Sequence, residues 1–313
     1  MKIRWPAYMM VAGLAAAFPS PVLAGTYSDW GTPVNLGCGV INSASNDFGP
    51  GISKDGLSLY FASDRKAPGG SADIYVSQRQ SVDAPWGAPT IVPNVNSEFG
   101  ENAVSLSRNG HWMFFNSNRP GGFGDVDIWA SYRADVHDDF DWQTPVNLGA
   151  GVNSTAFEAG ASYFENDGGT PQLFFGRGAS SAAQASTTRI MVAELLSDGT
   201  FGNANEVNEL NLPPPYGSQR PSIRFDGLEI FFFSNRPGGS GGSDIWVAKR
   251  TSVLDGWDAP TNLGSPVNTI AAEFNPHISA NGFALYFAST RSDGACGGFD
   301  IYVTTRTRVR PGE

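Results

Sequence analysis

Charge, cysteine and histidine are all scarce in this 313-residue chain: 16% of its residues are charged, two are Cys and three are His. So little charge argues against a helical bundle or coiled coil, whose exposed faces are charge-rich. Two cysteines cannot staple a miniprotein or make a structural zinc site, and His111, His137 and His277 lack zinc spacing. No Gly-x-Ser-x-Gly serves as a nucleophile elbow, and no Walker-type phosphate loop occurs. Acidic residues outnumber basic ones by 30 to 20. The average field therefore repels a polyanion, which excludes nucleic acid as a natural partner. What the chain has instead is 38 Gly, 21 Pro and 12% aromatic residues, the makings of a turn-rich β-protein with enough apolar mass for a core.

The start of the chain reads as a leader. Lys2 and Arg4 precede an apolar run from Tyr8 to Phe18, and Val22-Leu23-Ala24 before Gly25 offers the small residues a signal peptidase accepts. Residues 1–24 are expected to be a cleaved signal peptide, with a retained N-terminal anchor as the other reading. The run is short for a membrane span and no second one follows, so the mature chain 25–313 is expected to be a soluble monomer, periplasmic or secreted. Loss of Lys2 and Arg4 leaves 18 basic against 30 acidic residues, a mature charge of −12.

One grammar occurs five times. An Asp-Gly or Asn-Gly turn has its acidic or amide residue at 55, 109, 167, 226 and 281, spaced 54, 58, 59 and 55 residues apart. Before each turn lies a first strand; after it comes an aromatic run such as Leu59-Tyr-Phe-Ala-Ser63 or Ile230-Phe-Phe-Phe-Ser234. A Gly-rich loop such as Arg119-Pro-Gly-Gly122 leads to a third strand opened by Asp, as in Asp127-Ile-Trp-Ala130 and Asp300-Ile-Tyr-Val303. A fourth strand follows Trp86-Gly-Ala-Pro89, Trp142-Gln-Thr-Pro145 and Trp257-Asp-Ala-Pro260. Four-stranded units in series predict an all-β, five-bladed β-propeller, with repeats near 47–96, 97–153, 154–210, 216–268 and 272–307. The last repeat lacks its fourth strand, and residues 30–37, Trp30-Gly-Thr-Pro-Val-Asn-Leu-Gly37, are an orphan copy of it. The ring is expected to close by that strand completing the last blade. Cys38 and Cys296 then fall on one edge of one blade and pair as a disulfide, two unrelated free thiols being the other reading.

The string Asn-Leu-Gly, Asn-Ser/Thr, an acidic residue, Ser-x-Asp-Gly, Leu-Tyr-Phe-x-Ser, Arg-Pro-Gly-Gly and Asp-Ile-Tyr/Trp-Val resembles the WD40-like PD40 repeat. That family includes the propeller of periplasmic TolB and the propellers joined to OmpA-like domains. The resemblance spans nearly all of the mature chain and implies the fold; the fold itself hosts many functions.

In a propeller the first strands start at a central mouth. Here they begin near Asp47, Glu101, Glu158, Ser218 and Glu273, so four of five blades are expected to bring a carboxylate there, with solvated loop charges or amide caps as the alternative. Arg65, Arg119, Arg236 and Arg291 are expected to brace Asp73, Asp127, Asp244 and Asp300 across one loop. Blade four departs from the pattern with Tyr216-Gly-Ser-Gln219-Arg220, and blade five has His277 four residues after Glu273. Glu273, His277, Glu101 and Glu158 are the candidates for acid–base chemistry, and Asp47, Tyr216, Gln219 and Arg220 for ligand binding. His277 is otherwise a hydrogen-bonded strand residue. Blade three carries a small-residue loop, Gly178 to Thr188, in place of Arg-Pro-Gly-Gly. No cofactor or metal is expected; Asp135 to Asp141 offers calcium its one acidic stretch, but its place between strands favours a solvated loop. The leading expectation is a module binding an envelope protein or glycan. The alternative is a secreted hydrolase or lyase acting on a carbohydrate or lactone.

Overall fold

The computed structural model describes residues 27–309 apart from Pro68, so the expected signal peptide lies outside the described residues. After the short strand β1 (Val34–Asn35), blade one is β2 (Asp47–Ile52), β3 (Ser58–Ser63), β4 (Asp73–Gln78) and β5 (Thr90–Ile91). Blade two is β6 (Glu101–Leu106), β7 (Trp112–Ser117), β8 (Asp127–Tyr132) and β9 (Val146–Asn147). Blade three is β10 (Phe157–Phe164), β11 (Gln172–Gly178), β12 (Arg189–Glu194) and β13 (Asn205–Glu206), with a short helix α1 (Gln184–Thr187) where the small-residue loop was expected. Blade four is β14 (Ser218–Ile223), β15 (Glu229–Ser234), β16 (Asp244–Lys249) and β17 (Thr261–Asn262). Blade five has β18 (Glu273–Ile278), β19 (Ala284–Ser289) and β20 (Asp300–Thr305), and β1 completes it in the sheet order β1-β20-β19-β18. The protein is a five-bladed β-propeller closed as its repeat arithmetic requires.

Closure is secured at several levels. Val34 pairs with Val303 and Asn35 with Tyr302. Farther out, Tyr27 bridges to Arg308, and Cys38 and Cys296 form a disulfide with Cα atoms 5.3 Å apart. Each Asn of the Asn-Ser/Thr pairs also sews its blade to the one before it: Asn96, Asn153 and Asn268 each accept from the amide and donate to the carbonyl of Ile74, Ile128 and Ile245, and Asn42 does the same to Ile301. Asn211 repeats the clamp on Ile190 in blade four. Buried polar groups are thereby satisfied in pairs at every blade boundary.

Apolar cores fill the five gaps between blades. Tyr60, Phe61, Phe114, Phe115, Phe231, Phe232 and Phe287 have no exposed surface, and burying one such ring contributes about 2 kcal/mol. A second arginine, just past the third strand, recurs in four blades. Arg79, Arg133, Arg250 and Arg306 lie 4.2, 4.5, 4.2 and 4.6 Å over the rings of Trp86, Trp142, Trp257 and Trp30. Their Nε atoms donate to the turn carbonyls of Gly56, Gly110, Gly227 and Gly282. A guanidinium over an indole contributes about 0.5–2 kcal/mol, and the Trp30 pair uses it to hold the closing strand.

The acidic stretch is not uniformly solvated. Asp135, Asp138 and Asp141 are exposed, but Asp139 is buried and crosses from blade two to blade one. Its carboxylate accepts from Ser58 Oγ at 2.5 Å, Tyr60 OH at 2.5 Å, Arg133 Nη1 at 2.6 Å and Gln78 Nε2 at 2.7 Å. Four donors occupy it, which leaves no place for calcium. Among the described residues no group of three or more His, Cys, Asp or Glu is placed to hold a metal ion, and no helix is long and apolar enough to cross a membrane.

Burial tends to raise the Asp139 pKa, but the hydrogen bonds from Ser58, Tyr60, Arg133 and Gln78 together hold it below the usual carboxylate value. A depressed native pKa adds stability above the unfolded value of about 3.9 and loses it as pH falls through the native one. Asp139→Asn is expected to cost about 3 kcal/mol at pH 7, and the gap from wild type to narrow below about pH 4. Urea melts at several pH values measure both.

Candidate functional site

The first residue of each inner strand, the second in blade three, stands at the mouth, but its side chain turns into its own blade. Asp47, Glu101, Glu158 and Glu273 have no exposed surface. Arg65, Arg119, Arg177 and Arg291 reach them at 2.6, 2.9, 2.8 and 3.1 Å. The Ser or Thr four residues earlier donates through both its amide and its hydroxyl, as Ser97 does to Glu101 at 3.0 and 2.6 Å and Thr269 to Glu273 at 2.9 and 2.7 Å. Each arginine also donates to the backbone just before that Ser or Thr and lies over an aromatic ring; Arg119 bonds the Val95 carbonyl and sits 5.2 Å from the Phe115 centroid. This bracket corrects the expected partnership. The arginines neutralise the first-strand carboxylates, not Asp73, Asp127, Asp244 and Asp300. Those third-strand aspartates brace loops, accepting from the amides of Phe123, Ser240 and Cys296 and, in blade one, facing Lys66 at 3.4 Å.

Blade four lacks the carboxylate. Ser218 replaces it and accepts from Arg236 Nη2 at 2.7 Å, so Arg236 has no anionic partner and burial pulls its pKa down to about 10. Of the other candidates, Gln219 is buried opposite Phe233, and Tyr216 is half-buried with its carbonyl accepting from Arg189 at 2.8 Å.

Below the mouth the five inner strands share one irregularity. Pairing slips after Phe48, Asn102, Ala159, Gln219 and Phe274, and the next residue has positive φ in every case: Gly49 at 61°, Ala103 at 58°, Gly160 at 67°, Arg220 at 49° and Asn275 at 54°. A bulge in the left-handed region re-aims a strand, and here it narrows the channel to a throat. Gly160 has to be glycine, because a Cβ there would lie 2.5 Å from Arg220 Cγ. Arg220 extends across blade three toward blade two, where its Nη2 donates to Asn102 Oδ1 at 2.9 Å and Asn116 donates to the same oxygen at 2.8 Å. The throat cavity measures about 20 Å³ and is lined by small residues and prolines with Arg220, Asn275 and His277. No carboxylate lines it. Burial holds Arg220 at a pKa of about 10, so it stays cationic at neutral pH.

His277 and Glu273 share β18 but not a partner. Glu273 is held by Thr269, Ser289 and Arg291, while His277 lines the throat. Above the throat, rings form an arc at the mouth: Phe233 meets Phe274 at 6.2 Å, Phe274 meets Phe299 at 5.0 Å and Phe299 meets Phe48 at 6.1 Å. Phe48, Phe274 and Phe299 are partly exposed. The amides Asn116 and Gln219 are buried, and Asn102 is bonded to Asn116 and Arg220. None of the three rings in blades five and one was singled out from the sequence, although Asp47-Phe48 and Glu273-Phe274 repeat an acid–aromatic pair that blades two to four lack. On the opposite face a cavity of about 790 Å³ lies between blades four and five, lined by Tyr27, Trp30, Arg224, Lys249, Arg250 and Arg306. Glu229 is central to its charge balance, bonded by Arg224 at 2.8 Å and by Arg306 at 3.1 Å.

No protein-family model matches the chain, and neither does any curated protein sequence. Among solved structures it is similar to α-L-arabinofuranosidase from Lactobacillus brevis, with TM-score 0.56 and 12% identity over 87% of this chain and 94% of that one. It is also similar to an endo-arabinase from Bacteroides thetaiotaomicron, with TM-score 0.54 and 18% identity over 87% of this chain and all of that one (100%). TolB from Acinetobacter baumannii aligns at TM-score 0.45 and 16% identity over 83% of this chain and 55% of that one. At such identities the shared feature is the propeller fold.

Burial in the throat depresses the His277 pKa to about 4, against a smaller upward pull from a hydrogen bond with the Ile52 backbone. The imidazole is neutral at pH 7. Because the unfolded value is about 6.5, this histidine adds stability above that pH and loses it as pH falls toward the native value. His277→Gln is expected to flatten the fall in stability between about pH 6.5 and 4, and an NMR titration of the wild type to place the His277 midpoint near 4.

Proposed function

We propose that this PD40-type propeller is a secreted or periplasmic module that binds an envelope glycan at its mouth and performs no chemistry on it. One contrast carries the reading: the mouth carboxylates are each spent on an arginine, while an arc of partly exposed rings stays open. Hydrolysis of a glycosidic bond needs two carboxyl groups facing the substrate, one of them protonated. The throat lining offers none, so Glu101, Glu158 and Glu273 serve the fold in this reading and His277 has no acid to act with. Aromatic faces stack on sugar rings through dispersion and C–H contacts. The likeness to an arabinofuranosidase and an endo-arabinase supports a carbohydrate by analogy of fold alone. The Cys38–Cys296 bridge supports an oxidising compartment.

Binding of the mature protein to an array of bacterial envelope polysaccharides tests this. Phe48→Ala and Phe274→Ala are expected to weaken saturable binding by about three- to tenfold each, with no sugar released by the wild type. Unchanged affinity in both variants, or release of product by wild type, overturns the reading.

A further inference from the structure

Arg220 is a cation without a counter-ion. The four mouth carboxylates have their own arginines, blade four has Ser218 in place of a fifth, and among the described residues no acidic side chain pairs with Arg220 or lines the throat. One of its terminal nitrogens, Nη2, bonds Asn102; the other, Nη1, is buried and has no partner. Nη1 points toward blade one, 3.8 Å from where a Cβ on Gly49 would sit. Leaving a charged donor buried and unmet costs several kcal/mol unless an ion or water meets it. The backbone adds a second sign of purpose. Arg220 occupies a left-handed position that blades one and three give to glycine and blade five to asparagine, and Gly160 leaves room for its stem.

We propose that the throat is a receptor for one small monoanion, a halide ion or the carboxylate tip of a short acid, held by Arg220 Nη1. The cavity of about 20 Å³ has room for a water-sized particle, which suits a monatomic ion or a single carboxylate better than a larger group. The neutral face of His277 and the small walls from Gly49, Ala103 and Ala161 complete a pocket that has a single charge. The site lies below the mouth and stands whether or not a glycan binds there.

Thermal unfolding of the whole mature protein tests it at fixed sodium and ionic strength, with chloride, bromide or acetate exchanged for the bulky anion isethionate. The expected result is a saturable rise of several degrees with at least one small anion, absent in Arg220→Gly and Arg220→Asn, which use residues the fold already accepts at this bulge. A rise with halides alone assigns the site to halide, and a rise with acetate as well assigns it to the carboxylate tip. Bromide-soaked crystals are expected to show anomalous density within hydrogen-bonding reach of Nη1. No advantage of any small anion over isethionate, or the same rise in both folded variants, overturns the proposal. Should a variant fail to fold, bromide density away from Arg220 in the wild type does so by itself.

Discussion

The buried carboxylate at the start of an inner strand is the constraint on which the rest of this propeller depends. An ionised group without exposed surface has to be met on every lone pair. In four blades the answer is the same: one arginine from the second strand's end, and the amide and hydroxyl of a Ser or Thr four residues upstream. Because that arginine also bonds the backbone and lies on the blade's aromatic strands, one ion pair ties the loop between blades to the second and third strands. The adjacent Asn clamps the third strand of the preceding blade. Ion pair and clamp thus lie side by side in sequence and, in space, join each blade to its neighbour.

This economy has a consequence for function. The acidic residues that open the inner strands are consumed by the scaffold, so the chemistry left at the centre belongs to the places where the repeat departs from itself. Blade four gives up its carboxylate and adds Arg220 to the throat. Blades five and one place phenylalanine next to the carboxylate, where blades two, three and four have Asn102, Ala159 and Gln219. A mouth with an arc of partly exposed rings, over a throat with a single cation, is suited to recognition.

The fold was legible because its signals are local and repeated. Asp-Gly and Asn-Gly turns counted the blades, and the orphan Trp30-to-Gly37 strand with Cys38 and Cys296 located the closure. The bracket was not legible, since Arg65 stands eight residues from Asp73 and eighteen from Asp47, and the nearer carboxylate looks like the partner. Pleating decides otherwise: Ser63 pairs across β3 and β2 with Asp47, which brings the farther acid to the arginine. Asp139 was missed because its three exposed neighbours dominate a reading by composition. The left-handed bulge had only Gly49, Gly160 and Asn275 as signs, and Ala103 and Arg220 hide it. Arg133 and Trp142 carried a usable signal, an arginine after the third strand and a tryptophan seven to nine residues on, in the Trp-x-x-Pro repeats of blades one, two and four.

Thermal unfolding of Asp47→Asn, Glu101→Gln, Glu158→Gln and Glu273→Gln tests the account most directly. If the carboxylates are structural, each variant loses about 2–3 kcal/mol by leaving its fully buried site without an ion pair and its arginine, partly exposed, unpaired, and Ser218→Ala, which removes no charge, loses less. Four variants that unfold with wild-type midpoints would contradict the account and return the carboxylates to the mouth as functional groups.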